Sequence, residues 1–282
     1  MKAGYRLLFF RSLVLGIVVF ALVGCAHGKI MRIKDIEIIG FDQMIQEVKD
    51  KKIILIGELH SEPKHHEYQL RIIKALHEKG IPVAIGLEMF RAESQKDLDK
   101  WTSGKVSLKQ FLPIYYSNWG MPWPLYRDIF LFARDNNILL IGLNVPRETT
   151  NKVAQKGLSS LTEEEMGKLP SGISCSVDDE YMEFIKKAYK IHTIGTEFKN
   201  FCEAQMVWDS AMALYTLEYL KNYPVYTVVI LAGTGHAWKR AIPEQINRRD
   251  SRYSVSVVLP EVPDKMERGR VTLDDADFLI LR

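Results

Sequence analysis

The sequence predicts an α/β fold: a mostly parallel central sheet flanked by helices, with a helical insertion before the last sheet strands. Three observations predict it. Four short runs, Ile53–Ile56, Val83–Leu87, Ile138–Ile141 and Tyr226–Leu231, are near-continuous in β-branched residues and leucine, the pattern of strands covered on both faces. Stretches of helical period separate the first three, making βαβ units with right-handed crossovers. A helical stretch from about Thr149 to Tyr223 then parts the third run from the fourth.

The elements follow in chain order. Lys2, Arg6 and Arg11 lie without a nearby acid, Leu13 to Leu22 is almost wholly apolar, and Leu22-Val23-Gly24-Cys25 follows. A basic n-region, a short apolar h-region and a small-residue cleavage site make a signal peptide over residues 1–24. Its apolar core is shorter than the roughly 20 residues of a membrane span; an uncut signal anchor is the alternative. Leu-Val-Gly-Cys resembles the bacterial lipobox, which implies that Cys25 becomes the first mature residue and carries lipid. Ala26, where an Asp would retain the protein inside, implies outer-membrane sorting in a cell with two membranes. Residues 25–40 then read as the lipidated cysteine and a tether, and 41–282 as one α/β domain. The three basic leader residues account for the formal charge of +3, so the mature chain is near neutral. That argues against a nucleic-acid partner, which calls for a basic surface.

Phe41 to Val48 reads as a first helix. Ile53–Ile56 is a strand, followed by the loop Gly57-Glu58-Leu59-His60-Ser61-Glu62-Pro63 and a helix over Lys64 to Lys79. The strand Val83–Leu87 leads into Glu88, and Ala92 to Trp101 reads as a helix. Leu108 to Pro124, rich in aromatics and prolines, reads as irregular or short-helical, and Leu125 to Asn136 as a helix. The third strand ends at Leu143, before Asn144 and Arg147. In the insertion, Thr162 with Glu165 spells a capping box, a helix starts at Asp178 and breaks at Gly195, and a long helix spans Phe198 to Leu220. The fourth strand runs into Gly233-Thr234-Gly235-His236. Val255–Leu259 and Phe278–Leu281 are two more strands. Cys175 and Cys202 either pair or stay free, with Cys202 in an apolar helix.

In an open α/β sheet, ligands bind beyond the carboxyl ends of the strands. The predicted ends gather Glu58, His60, Glu88, Asn144, Arg147 and His236. Glu58 and His60, two apart on a turn, suit metal ligation, acid–base work or a structural hydrogen bond. His65 and His66 open a helix, as cleft donors or as a solvated pair. Glu88 follows a strand with no charge to match it, and a buried carboxylate needs a partner. His236 follows two glycines that permit close approach. Arg147 suits an anionic group. Gln205 and Asp209, one turn apart on an apolar helix, face the cleft or form a structural network.

The segments LIGELH, the following HH, GLEMF, NVPR, AQMVWDSAMA and AGTGHAWKRAIP, from about Phe41 to Pro243, resemble the ChaN family of haem-binding lipoproteins, of the Tiki and erythromycin-esterase-like superfamily. The resemblance implies an α/β domain linked to iron acquisition that binds haem in a homodimer, two haems face to face. Iron would be held by a tyrosine of one subunit, while a histidine of the other meets a propionate; tyrosinate is a competent axial ligand. Glu58, His60, His66, Glu88, Asn144, Arg147, Gln205, Asp209 and His236 match the shared motifs. None of those motifs contains the tyrosine. Tyr181, Tyr189 and His192, on one stripe of the insertion, are the candidates, with Tyr115, Tyr116 and Tyr126 as rivals. Lys239-Arg240-Ala241 stands where many relatives carry glycines.

Two readings follow. One is a lipid-anchored haem-binding protein of iron and haem acquisition. The alternative is a metal-dependent hydrolase in which Glu58, His60, Glu88 and His236 hold a divalent metal or act as acid and base.

Overall fold

The computed structural model describes residues 29–192, 196–263 and 266–282, without the side chains of 191 and 192. The strands are β1 (Ile30–Arg32), β2 (Glu37–Ile39), β3 (Ile53–Glu58), β4 (Val83–Arg91), β5 (Leu139–Asn144), β6 (Thr227–Gly233), β7 (Val255–Pro260) and β8 (Phe278–Ile280). They form one sheet in the order β2-β1-β8-β7-β3-β6-β4-β5. From β8 to β5 every pairing is parallel. Only β1 runs antiparallel, to both β2 and β8. The four strands read from the sequence are thus neighbours, with β6 inserted between β3 and β4.

The helices are α1 (Phe41–Val48), α2 (Pro63–Glu78), α3 (Gln95–Thr102), α4 (Leu108–Asn118), α5 (Trp123–Asp135), α6 (Arg147–Lys156), α7 (Glu163–Gly167), α8 (Asp179–His192), α9 (Phe198–Asn222), α10 (Thr234–Ala237) and α11 (Ile242–Arg249). Side chains alternate across each strand. Ile54 and Ile56 of β3, with Val229 and Leu231 of β6, pack against α1 to α5. Ile53 and Leu55, with Val228, Ile230 and Ala232, pack against α8, α9 and α11. Burial on both faces is why these runs carry no polar alternation.

The structure departs from the sequence reading at two places and settles an alternative at a third. Residues 30–39, read as tether, form the β1–β2 hairpin and close one side of the sheet. Leu108 to Asn118 is a regular helix despite Pro113, started by a Ser107–Gln110 capping box. Its Phe111 and Tyr115 are wholly buried against Phe90, Trp101, Trp123 and Phe130; that packing outweighs one missing backbone donor. Cys175 and Cys202 are bonded, with Cα atoms 5.6 Å apart, which ties the loop before α8 to α9. The Thr162–Glu165 capping box forms as read. Asp178 caps α8, its Oδ1 accepting the Tyr181 amide at 2.9 Å. Gly195 and Cys25 lie outside the described residues. No helix among the described residues is long and apolar enough to cross a membrane.

Candidate functional site: an acid–imidazole cleft

Glu58 ends β3, where its register partner is Gly233 of β6, and its side chain is buried. Oε1 accepts from Tyr126 Oη and lies 2.7 Å from His60 Nδ1. Oε2 accepts from Gln69 Nε2 at 2.7 Å and lies 3.4 Å from His66 Nδ1. Burial alone would raise its pKa, but His60 and His66 hold the carboxyl well below the usual carboxylate range. The buried Tyr126 is driven the other way, by burial and by the Glu58 charge, so it stays a neutral donor.

His66 Nε2 faces the His60 carbonyl at 3.1 Å, and Nδ1 faces Gln69 Oε1 at 3.2 Å. Both ring nitrogens meet acceptors, the arrangement an imidazolium satisfies. Burial opposes that charge, but Glu58 carries the His66 pKa above its ordinary value. His60 is likewise raised by Glu58 and Glu88 against the cost of burial.

The second half of the site is built on α9 and the end of β6. His236 Nδ1 lies 2.6 Å from Asp209 Oδ1, and Gln205 Nε2 is 3.1 Å from the same nitrogen. Tyr181 Oη donates to Asp209 Oδ2 at 2.5 Å. Burial disfavours charge on His236, yet Glu88 and Asp209 push its pKa up to about 9. Burial pushes the Asp209 carboxyl up, and its two donors act against that.

Glu88 joins the halves. Oε2 accepts the Gly233 amide at 2.6 Å. Oε1 lies 3.9 Å from His60 Nε2 and 3.9 Å from His236 Nε2. Those spacings are too long for direct hydrogen bonds and leave room for one polar atom of water or ligand among three groups. A β-carbon on Gly233 would come within 3.0 Å of the His60 ring, and one on Gly235 within 2.5 Å of Phe184. The close approach these glycines permit is therefore to the protein's own rings.

The cleft has a volume of about 140 Å³ and is lined by Glu88, Trp119, Asn144, Arg147, Trp208 and His236 among others. The Trp119 ring meets His60 edge-on at 5.0 Å, and Trp208 meets His236 at 5.8 Å. Asn144 Nδ2 donates to the Glu88 carbonyl at 2.8 Å, holding β4 and β5 together. Arg147 is exposed at the rim, where its carbonyl accepts from Thr150 Oγ1 at 3.1 Å.

Glu58, His60, Glu88 and His236 do come together, with Asp209, Gln205 and His66 behind them. His65 does not enter the cleft. Its Nδ1 accepts the Leu59 amide at 2.9 Å, pinning the loop, and burial lowers its pKa. Tyr181 is 0% exposed and spent on Asp209, so in this fold it offers no hydroxyl to a haem. Tyr189 is half-buried and donates to the Thr196 carbonyl at 2.5 Å. The His192 side chain lies outside the described residues. Tyr115 and Tyr126 are buried, donating to Met121 and Glu58. Tyr116 is 51% exposed, its oxygen accepting the Trp123 amide. Lys239 and Arg240 reach Asp277, Asp275, Asp178 and Glu180, tying the start of α8 to the C-terminal segment.

Among the described residues, no group of three or more His, Cys, Asp or Glu is placed to hold a metal ion. The reading of Glu58, His60, Glu88 and His236 as a metal set therefore gains no support. Glu58 is fully engaged by its donors, and imidazoles whose pKa values are raised by the neighbouring acids face the three carboxylates. The sequence reading missed Gln69, the amide that locks Glu58 to His66. Its signal was a polar residue one turn after His66 on an otherwise apolar face.

Fold and site together define an α/β protein with two carboxylate–imidazole pairs meeting at the carboxyl edge of a parallel sheet. The chain belongs to the family described as "Haem-binding uptake, Tiki superfamily, ChaN", whose model matches residues 44–246. It is similar to ChaN of Campylobacter jejuni, solved with cofacially bound haem. The identity is 23% and the TM-score 0.71, over 89% of this chain and 95% of that one. Weaker likenesses are to the type III effector HopBA1 (12% identity, TM-score 0.49, 85% and 91% of the two chains) and to erythromycin esterase EreC (13%, 0.49, 83% and 76%). No curated protein matches.

Proposed function

We propose that this protein binds haem as a homodimer and serves haem or iron acquisition from a lipid anchor at Cys25. Membership of the haem-binding ChaN family over residues 44–246 carries the reading. The interior cleft does not fit haem: about 140 Å³ is below the roughly 300 Å³ at which small-molecule pockets begin. The haem would instead lie on the outer surface, covered by a second copy. Of the tyrosines singled out, Tyr116 and Tyr189 are the least buried residues, and a tyrosinate there would supply the axial ligand. Ferric haem titrated into the purified protein should shift the Soret band, and Tyr116→Phe or Tyr189→Phe should alter the ligand-field bands. An unshifted Soret band at stoichiometric haem ends this reading.

One observation favours a second activity at a separate place. Glu88 Oε1 between two imidazole Nε2 atoms is an acid–base arrangement that a haem carrier does not need. Protonated His60 or His236 would donate, and Glu88 would accept, in the hydrolysis of a small polar substrate. Turnover of model esters that survives Glu88→Gln and His60→Gln removes this second reading.

A further inference from the structure

The walls of the acid–imidazole cleft carry more bases than acids. Among the described residues that line it, Glu88 is the one acid, against Arg91, Arg147 and His236. The other two carboxylates of the site are spent behind the wall, Glu58 on His60 and Asp209 on His236. The acids that neighbour the arginines in sequence, Glu93 and Glu148, are exposed and stand outside the lining. A cleft lined mainly by one sign of charge draws a ligand of the other.

The two arginines differ in what they have left to offer. Arg91 ends β4 opposite Asn144 of β5. Its guanidinium is already held, Nη1 by the Ser117 carbonyl at 3.4 Å and Nε beside Glu93 at 3.1 Å. Three residues after Asn144, Arg147 opens α6. The Arg147 guanidinium donates no hydrogen bond and joins no ion pair among the described residues. An arginine fork left open at a cleft mouth matches a carboxylate bidentately. Deeper in lies Glu88 Oε1, with the Nε2 atoms of His60 and His236 each 3.9 Å away. The indoles of Trp119 and Trp208 stand against those two imidazoles, so the way between mouth and floor has aromatic sides.

We propose that the cleft takes a small monocarboxylate. Arg147 binds the carboxylate at the mouth, Arg91 adds to the field, and a short aliphatic chain between the indoles carries the reacting group to Glu88, His60 and His236. This rests on the acid–base reading of the cleft and names its substrate class. About 140 Å³ equals the share of roughly five waters at about 30 Å³ each, which limits the chain to a few carbons. The charge is single because Arg147 is the one uncommitted arginine of the lining, the imidazoles being balanced by Glu58 and Asp209.

The test uses the whole mature protein. Binding is read with levulinate, a keto acid that cannot hydrolyse, and with acetonylacetone, its neutral counterpart, from the imidazole resonances of His60 and His236. Levulinate should shift both. Arg147→Gln should weaken it about tenfold or more, the loss of one charge-assisted contact, and Arg147→Lys should restore part of that. Arg147 is exposed, so the urea midpoint should stay that of the parent. Acetonylacetone should bind parent and variant alike, and more weakly than levulinate binds the parent. Turnover is read separately with monomethyl succinate, whose ester takes up water to give succinate, methanol and a proton. Levulinate affinity unchanged in Arg147→Gln, or matched by the diketone, overturns the proposal and leaves the acid–base reading standing. Inorganic phosphate that displaces levulinate at equal concentration assigns the mouth to phosphoanions and also overturns it. Arg147-dependent binding with no methanol released keeps the carboxylate site and removes the hydrolytic reading beneath it.

Discussion

Glu58 is met by four side chains, Tyr126, His60, Gln69 and His66, and its removal leaves the buried Tyr126 hydroxyl without its acceptor and the charge on the imidazoles without its closest counter-ion. Breaking a buried charge pair by deleting one partner costs about 3–5 kcal/mol, so Glu58→Ala should unfold at much lower urea than the parent. A midpoint within experimental error of the parent would show that the network is not holding the fold. His236 supplies a pH dependence. Its folded pKa, about 9, lies above the ordinary histidine value of 6.5. Its contribution is therefore fully present below pH 6.5 and is lost as pH rises from there through 9. Denaturant midpoints should fall across that window, and His236→Gln should flatten the fall. At this scale the sequence was informative where polarity interrupted an apolar run, as at Glu58, Glu88 and His236. It was silent on which hydroxyl meets which acid. Tyr181 and Tyr126 read as candidate haem ligands, and only the fold delivers their hydroxyls to Asp209 and Glu58.

Among the elements, the long strands and helices were legible because burial on two faces leaves an unbroken apolar run. The β1–β2 hairpin was not. Each of its strands has three residues, Arg32 and Glu37 break any alternation, and Ile36 occupies a turn position where Gly or Asn would have signalled one. Replacing Ile36, whose φ is 58°, by Asn should raise stability by roughly 1 kcal/mol through relief of the left-handed strain, seen as a higher thermal midpoint of the soluble domain. The Cys175–Cys202 bond closes a sequence separation of 27 residues, and such a loop contributes about 3 kcal/mol through the unfolded state. The double variant Cys175→Ser, Cys202→Ala should lose about that much, as should the reduced parent. A parent insensitive to reductant would mean the thiols are not joined in solution.

For the molecule as a whole, a haem bound at the surface as proposed would couple ligand to assembly. If two haems stack between copies, sedimentation should show the apo protein shifting toward dimer as haem approaches one equivalent per chain. A haem complex that stays monomeric at micromolar concentration contradicts the cofacial arrangement. The cleft is too small to hold that ligand, so haem binding and any turnover should respond to different substitutions. Tyr116→Phe or Tyr189→Phe belongs to the first, Glu88→Gln to the second.

The central place of β6 has a consequence for synthesis. This strand fills the gap between β3 and β4, yet it is made 136 residues after the end of β4, counting from Arg91 to Thr227. A nascent chain shorter than that holds two hydrophobic strands with a slot one strand wide between them, and has no means of closing it. Pairing so distant in sequence is slow and late. The polypeptide thus stays open until most of it has left the ribosome.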